Sequence, residues 1–203
     1  MSSIGGMGWP GLDELCEGFA APLPSPAGGS AAAASAAIAA SLVVMVGRGS
    51  ADWAAGSDAS VSAVVLRERL LALGAEDVEA VAAVLSAGRG RLGLAEGCSG
   101  LVEALLWASR VPVEIAECAA DVSLLAGAAV REGKRPMRAD AEAALLLART
   151  AVQVAVTIVA ANLTAPSLPA SEVERMGDAA RLAAERAGIG PEVRHVLGVA
   201  EAR

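Results

Sequence analysis

The chain contains no tyrosine, one phenylalanine, one histidine and three cysteines in 203 residues, and each scarcity removes a class of function. There is little to stack nucleobases on, no basic segment interleaved with aromatics, and a formal net charge of −7, so no nucleic-acid partner is expected. His195 stands alone. Cys16, Cys98 and Cys118 are widely spaced with no C-x-x-C pair, which gives neither a zinc site nor a disulfide framework, and buried thiols are the default. A metal-dependent mechanism is therefore not expected. No basic residue precedes Arg48, so the positively charged start of a secretory signal is missing and a cytoplasmic location is expected.

What the chain has instead is small and apolar side chains, 55% hydrophobic residues in all. Ser30 to Gly47 is one uncharged run, but most of it is Ala and Ser, which gain little from lipid. It reads as a buried helix, or a helix in a subunit interface, and no membrane partner is expected. The length supports one substantial core and nothing resembles an interdomain linker, so residues 1–203 read as a single domain, with the Gly-rich residues 1–10 poorly ordered.

The pattern along the chain is helical throughout. Leu12, Leu15 and Phe19 mark one face of a short helix that stops before Pro22. Leu23-Pro24-Ser25-Pro26-Ala27-Gly28-Gly29-Ser30 then forms a turn, and the next helix is expected from about 30 to 47 with Ser30 at its N-cap. A further helix begins near Asp58 and runs to a break at Gly88-Arg89-Gly90-Arg91-Leu92-Gly93. The segment 94–132 contains Pro112, which predicts a kink or a split. The most apolar helix, about 139–164, is expected to be central and buried. Ser171-Glu172-Val173-Glu174 has capping-box spacing before a charged outer helix that Gly188 ends, and Pro191 suits the first turn of a last short helix. With no alternating strand and no repeat, the fold class is all-α: a bundle of about six to eight helices around a buried central one.

Two further features invite a chemical reading beside a structural one. A helix N-terminus carries unpaired N–H groups and the positive end of the helix dipole, so Gly28, Gly29 and Ser30 form either a plain cap or a place where an anion approaches the backbone. Asp140 stands where an N-cap stands, and capping is compatible with a role in a site.

In order, the landmarks are Pro26-Ala27-Gly28-Gly29-Ser30, Met45-Val46, Asp77-Val78-Glu79-Ala80, Val111-Pro112-Val113-Glu114-Ile115-Ala116-Glu117, Ala139-Asp140 and Asn162-Leu163. Together they resemble the cyclodeaminase/cyclohydrolase family: the cyclodeaminase domain of formiminotransferase-cyclodeaminase and the stand-alone methenyltetrahydrofolate cyclohydrolases. The resemblance covers about residues 11–187. It implies a homodimeric helical bundle that takes a tetrahydrofolate derivative as substrate, with no metal and no added cofactor. It implies either of two reactions, cyclohydrolase or cyclodeaminase, with Asp77 as the acid/base residue and Asp140 as a second catalytic candidate. Arg135 and Arg138, in a basic cluster with Arg131 and Lys134, are implied as contacts for the anionic glutamate tail of a folate, though solvated surface cations and a helix C-terminus account for them equally. Asn162 contacts folate or ties off backbone carbonyls. Several positions depart from the family pattern: Ala27 replaces the first glycine, Gly90-Arg91-Leu92-Gly93 replaces Leu-Pro-Lys, Lys134 replaces an asparagine, and Ile158 stands where another asparagine is expected. These losses make a non-catalytic folate-binding or scaffolding relative the alternative reading.

Overall fold

A computed structural model describes residues 11–90, 97–193 and 195–196. Among them seven α-helices run Leu12–Ala20 (α1), Gly28–Gly49 (α2), Gly56–Gly90 (α3), Gly97–Glu132 (α4), Arg138–Asn162 (α5), Ala170–Arg186 (α6) and Gly190–Val193 (α7). A 3₁₀ turn, Arg135–Met137, precedes α5, and no strand occurs among the described residues. The all-α expectation holds. The reading of residues 1–10 lies outside the described residues, as do residues 91–93 of the break expected over 88–93; α3 continues through 88–90, later than expected.

The centre is α2, not the 139–164 segment expected there. Twelve of the 22 residues of α2 are buried, against eight of 25 in α5. Side-chain size explains the exchange: Ala32, Ala33, Ala36, Ala37, Ala39 and Ala40 let α3, α4 and α5 approach α2 together, whereas α5 turns Leu146 to solvent at 65% exposure. Burial of larger groups along α2 and its neighbours, among them Val43, Leu70, Leu73, Ile115 and Val156, contributes about 1.5–3 kcal/mol each. One stripe of α2 stays open, with Ile38 56% and Met45 40% exposed, so burial on nearly every side is not reached within one chain.

Both α3 and α5 run antiparallel to α2. Gly47 meets Gly56 and Ser60 at one end while Gly29 meets Asp77 at the other; Gly49 lies against Met137, and Gly28 against Ile158. At Gly47 the close approach demands glycine, because an added Cβ would sit 2.5 Å from the carbonyl oxygen of Gly56. Two segments, Gly28–Gly49 and Arg135–Asn162, are long and apolar enough to cross a membrane, but their most apolar stretches are 61% and 39% buried against the other helices.

Several helix ends differ from expectation. α2 begins at Gly28 with Ala27 as its N-cap, so Ser30 sits inside the first turn and not at the cap. α5 begins at Arg138 after a Met137 N-cap, which places Asp140, exposed and making no cap bond, in its first turn. α6 begins at Ala170 with Pro169 as its N-cap, which has no side-chain acceptor, so Ser171 falls inside the first turn and the expected Ser171–Glu174 capping box does not form; Glu172 pairs with Arg175 and Arg110. His195 lies in a turn beyond the four-residue α7. Pro112 neither splits nor ends α4, for a reason given below.

Between α3 and α4, Arg69 donates to both carboxylate oxygens of Glu114, at 2.6 and 2.8 Å, and to Glu76 at 2.6 Å. These hydrogen bonds push the Arg69 guanidinium further into its charged form. With about 40% of each side chain still in water, the clamp sets register more than it adds stability. Beside it, burial, reinforced by the charge of Glu114, pushes the Cys118 thiol up to about 11.

Candidate active site

The N-terminus of α2 is capped from a different helix. On α3, Leu70, Leu73, Gly74, Asp77 and Ala80 recur at helical spacing and face α2. Asp77 is 6% exposed, and its Oδ2 accepts the backbone N–H of Ser30 at 2.9 Å. That N–H belongs to the third residue of α2, one of the first-turn donors that an N-cap side chain would ordinarily satisfy. The Ser30 hydroxyl lies 2.9 Å from the same Oδ2 and 3.0 Å from the carbonyl oxygen of Gly74, two acceptors for its one proton. Ser30 thus receives a cap instead of supplying one, and a carboxylate at the positive end of α2 has the favourable sign.

Gly29 is what makes room for this contact. A Cβ there would lie 2.6 Å from the carboxyl carbon of Asp77 and overlap Oδ1. Gly28 is exposed beside it, and a Cβ at that position would stand 3.2 Å from Cδ1 of Ile158. Gly28, Gly29, Ser30 and Asp77 are therefore gathered at one end of the bundle, with Ile158 of α5 as a wall.

The two oxygens of Asp77 are not equivalent. Both hydrogen bonds fall on Oδ2, and Oδ1 has no partner among the described residues. Among the described residues Trp53 Nε1 is the only fully buried side-chain polar atom left without a partner, so the unpartnered Oδ1 is not sealed from solvent. One oxygen is fixed by two hydrogen bonds and the other accepts none among the described residues.

Asn162 answers the question that Pro112 raises. A proline has no N–H, so the carbonyl of Ala108, four residues earlier in α4, loses its helical donor. Asn162 Nδ2 donates to that carbonyl at 2.8 Å, from the last residue of α5, and the helix continues. Its Oδ1 makes no hydrogen bond among the described residues, so the side chain is a backbone tie with one acceptor to spare.

Asp140, Arg135 and Arg138 are elsewhere. Met137 packs at the Gly49 end of α2, and Asp140 precedes Ile158 by 18 residues of α5, roughly 27 Å of helical rise. Arg138 pairs with Glu142 at 2.9 Å on the surface. Within one chain the structure brings together Asp77 with the Gly28–Ser30 turn and leaves this second group at the opposite end. Among the described residues no group of three or more His, Cys, Asp or Glu is gathered where it would hold a metal ion. The carbonyl of Gly74 and the Pro112–Asn162 coupling were not singled out from sequence, and Ile158 stood out only as the place of a missing asparagine; for the coupling, a proline inside a helical pattern and an amide on a neighbouring helix were the only signals.

A family model described as formiminotransferase-cyclodeaminase matches residues 11–173. A crystal structure of formiminotetrahydrofolate cyclodeaminase from Thermotoga maritima superposes with a TM-score of 0.79 at 22% identity, covering 92% of this chain and 94% of that one. At that identity the likeness is one of fold. No curated protein sequence matches at a significant level.

Proposed function

The chain belongs to the formiminotransferase-cyclodeaminase family, and from that premise we propose that it is a folate one-carbon enzyme in which Asp77 carries the proton. The reaction is hydrolytic opening of methenyltetrahydrofolate, or closure of N-formiminotetrahydrofolate to the methenyl form with release of ammonia. Both pass through a tetrahedral carbon between two nitrogens, and both need a group that gives and takes a proton at N or O. A positioned side chain doing so contributes about 10²- to 10⁴-fold.

The observation that carries this reading is the division between the two carboxyl oxygens. Oδ2 is held by Ser30 from α2, while Oδ1 accepts no hydrogen bond among the described residues and is not fully buried. A proton arriving at Oδ1 leaves the bonds at Oδ2 in place, so the carboxyl changes state without disturbing the end of α2. Gly28, exposed beside it, leaves the backbone accessible to a planar ligand.

The assembly proposed with it is a homodimer in the cytoplasm with no added cofactor. The open stripe of α2, with Ile38 at its middle, is uncharged until Arg48. A two-fold axis crossing α2 at Ile38 pairs two copies antiparallel. It sets the basic end of one, Arg48, Lys134, Arg135 and Arg138, toward the acidic end of the other, Glu76, Asp77 and Glu79, which gives Arg135 and Arg138 a route to the substrate.

A second reading has one observation in its favour: Asp77 already serves the fold by capping α2, which a non-catalytic folate-binding relative would retain. Following methenyltetrahydrofolate absorbance with purified protein, in both reaction directions and with formiminotetrahydrofolate, separates the two. Turnover is expected. A reduced folate at about 100 times its dissociation constant adds about 2.7 kcal/mol to the native state, so thermal stabilisation without turnover selects the binding protein, and neither effect rejects the folate reading.

A further inference from the structure

A cavity of about 290 Å³ lies between α4, α5 and the C-terminal end of α6, apart from the Asp77 site. Its lining includes Arg131, Arg149 and Arg186 and no acidic residue, in a chain whose net charge is −7. Arg149 precedes Ile158 by nine residues of α5, roughly 13 Å of rise, so an occupant here does not reach Asp77 directly.

The three guanidiniums are held to different degrees. Arg149 Nε donates to the carbonyl of Ala187 at 2.9 Å, just past the end of α6, which fixes the plane of the group and leaves its two terminal nitrogens without a partner among the described residues. Gly188 stands beside it in the left-handed region at φ +73°, and an added Cβ there would sit 3.2 Å from Arg149 Nη2, so the glycine is both the turn and the space for the guanidinium. Arg186 is tied to Asp121 of α4. Arg131, in the last turn of α4, has no ion-pair partner among the described residues. Capping of α6 accounts for one nitrogen of Arg149; it does not account for three cations around one concave space with no lining carboxylate.

We propose that this cavity is a binding site for a small oxyanion, a phosphate or dicarboxylate group gripped by Arg131 and Arg149 with Arg186 at its edge. Planar guanidiniums match such groups through paired N–H···O bonds. The cavity touches three helices at once, so an occupant fastens the end of α6 to α4 and α5.

The test is titration calorimetry of the full chain with inorganic phosphate and, separately, with glutarate, at constant ionic strength set by chloride. Saturable one-to-one binding of either is expected, and the tighter of the two identifies the source of the oxyanion. Arg131→Gln and Arg149→Lys, each checked for unchanged helicity by circular dichroism, should weaken it at least about 10-fold, the loss for one charge-assisted hydrogen bond. No saturable heat with either probe overturns the proposal. So does binding that Arg131→Gln and Arg149→Lys leave unchanged.

Discussion

At the scale of single residues, Gly29 separates a packing account from a propensity account by sign. In a helix Gly→Ala ordinarily stabilises by up to about 1 kcal/mol. Here the new Cβ meets the carboxyl carbon of Asp77 at 2.6 Å, so α2 and α3 must part or the carboxylate must leave Ser30. Gly29→Ala is therefore expected to destabilise by about 1–3 kcal/mol, as overpacking does, read as a lower urea midpoint at unchanged slope. A raised midpoint would show that the contact is not tight. The residues of this site were legible one by one: Asp77, Gly28, Gly29 and Ser30 all stood out in the sequence. Their arrangement was not, because a serine following glycines looks like a cap from its local pattern, and only the approach of α3 shows that the cap comes from Asp77.

At the scale of elements, the continuity of α4 through Pro112 depends on the end of α5. Asn162→Leu strips the donor from the Ala108 carbonyl and should cost about 0.5–1.5 kcal/mol, the net contribution of one part-buried hydrogen bond. Pro112→Ala restores a backbone N–H at position 112, so in that background the same Asn162→Leu change should cost clearly less. A double-mutant cycle by chemical denaturation measures the difference, and strict additivity would remove the coupling. Helix number and most helix bodies could be read from periodicity and from Gly and Pro, as with α1 ending before Pro22 and α6 ending before Gly188. The fate of Pro112 could not, because its compensation comes from 50 residues downstream. Nor could the rank of the helices: the larger Leu, Val and Ile side chains pointed to α5, but closeness of approach favours the smaller side chains of α2.

At the scale of the whole molecule, the open stripe on α2 predicts that the chain pairs with a second copy. Ile38→Asp should convert a dimer to a monomer in light scattering at micromolar concentration with little loss of helicity, since Ile38 is 56% exposed in the single chain. A parent that is already monomeric contradicts the assembly. The family match over residues 11–173 bounds the chemistry, while the placing of Asp77 and Asp140 at opposite ends of the bundle bounds what one chain does alone. The opposite ends were invisible in the sequence, where both aspartates simply open or punctuate helical stretches. The central claim is that Asp77 moves the proton, and Asp77→Asn tests it most directly. Asn keeps the shape and still accepts the Ser30 N–H, but it exchanges no proton near neutral pH. With turnover and folate affinity measured on the same preparations, kcat is expected to fall by about 10²- to 10⁴-fold while the dissociation constant for folate stays within a few-fold. Turnover within a few-fold of the parent would contradict the account.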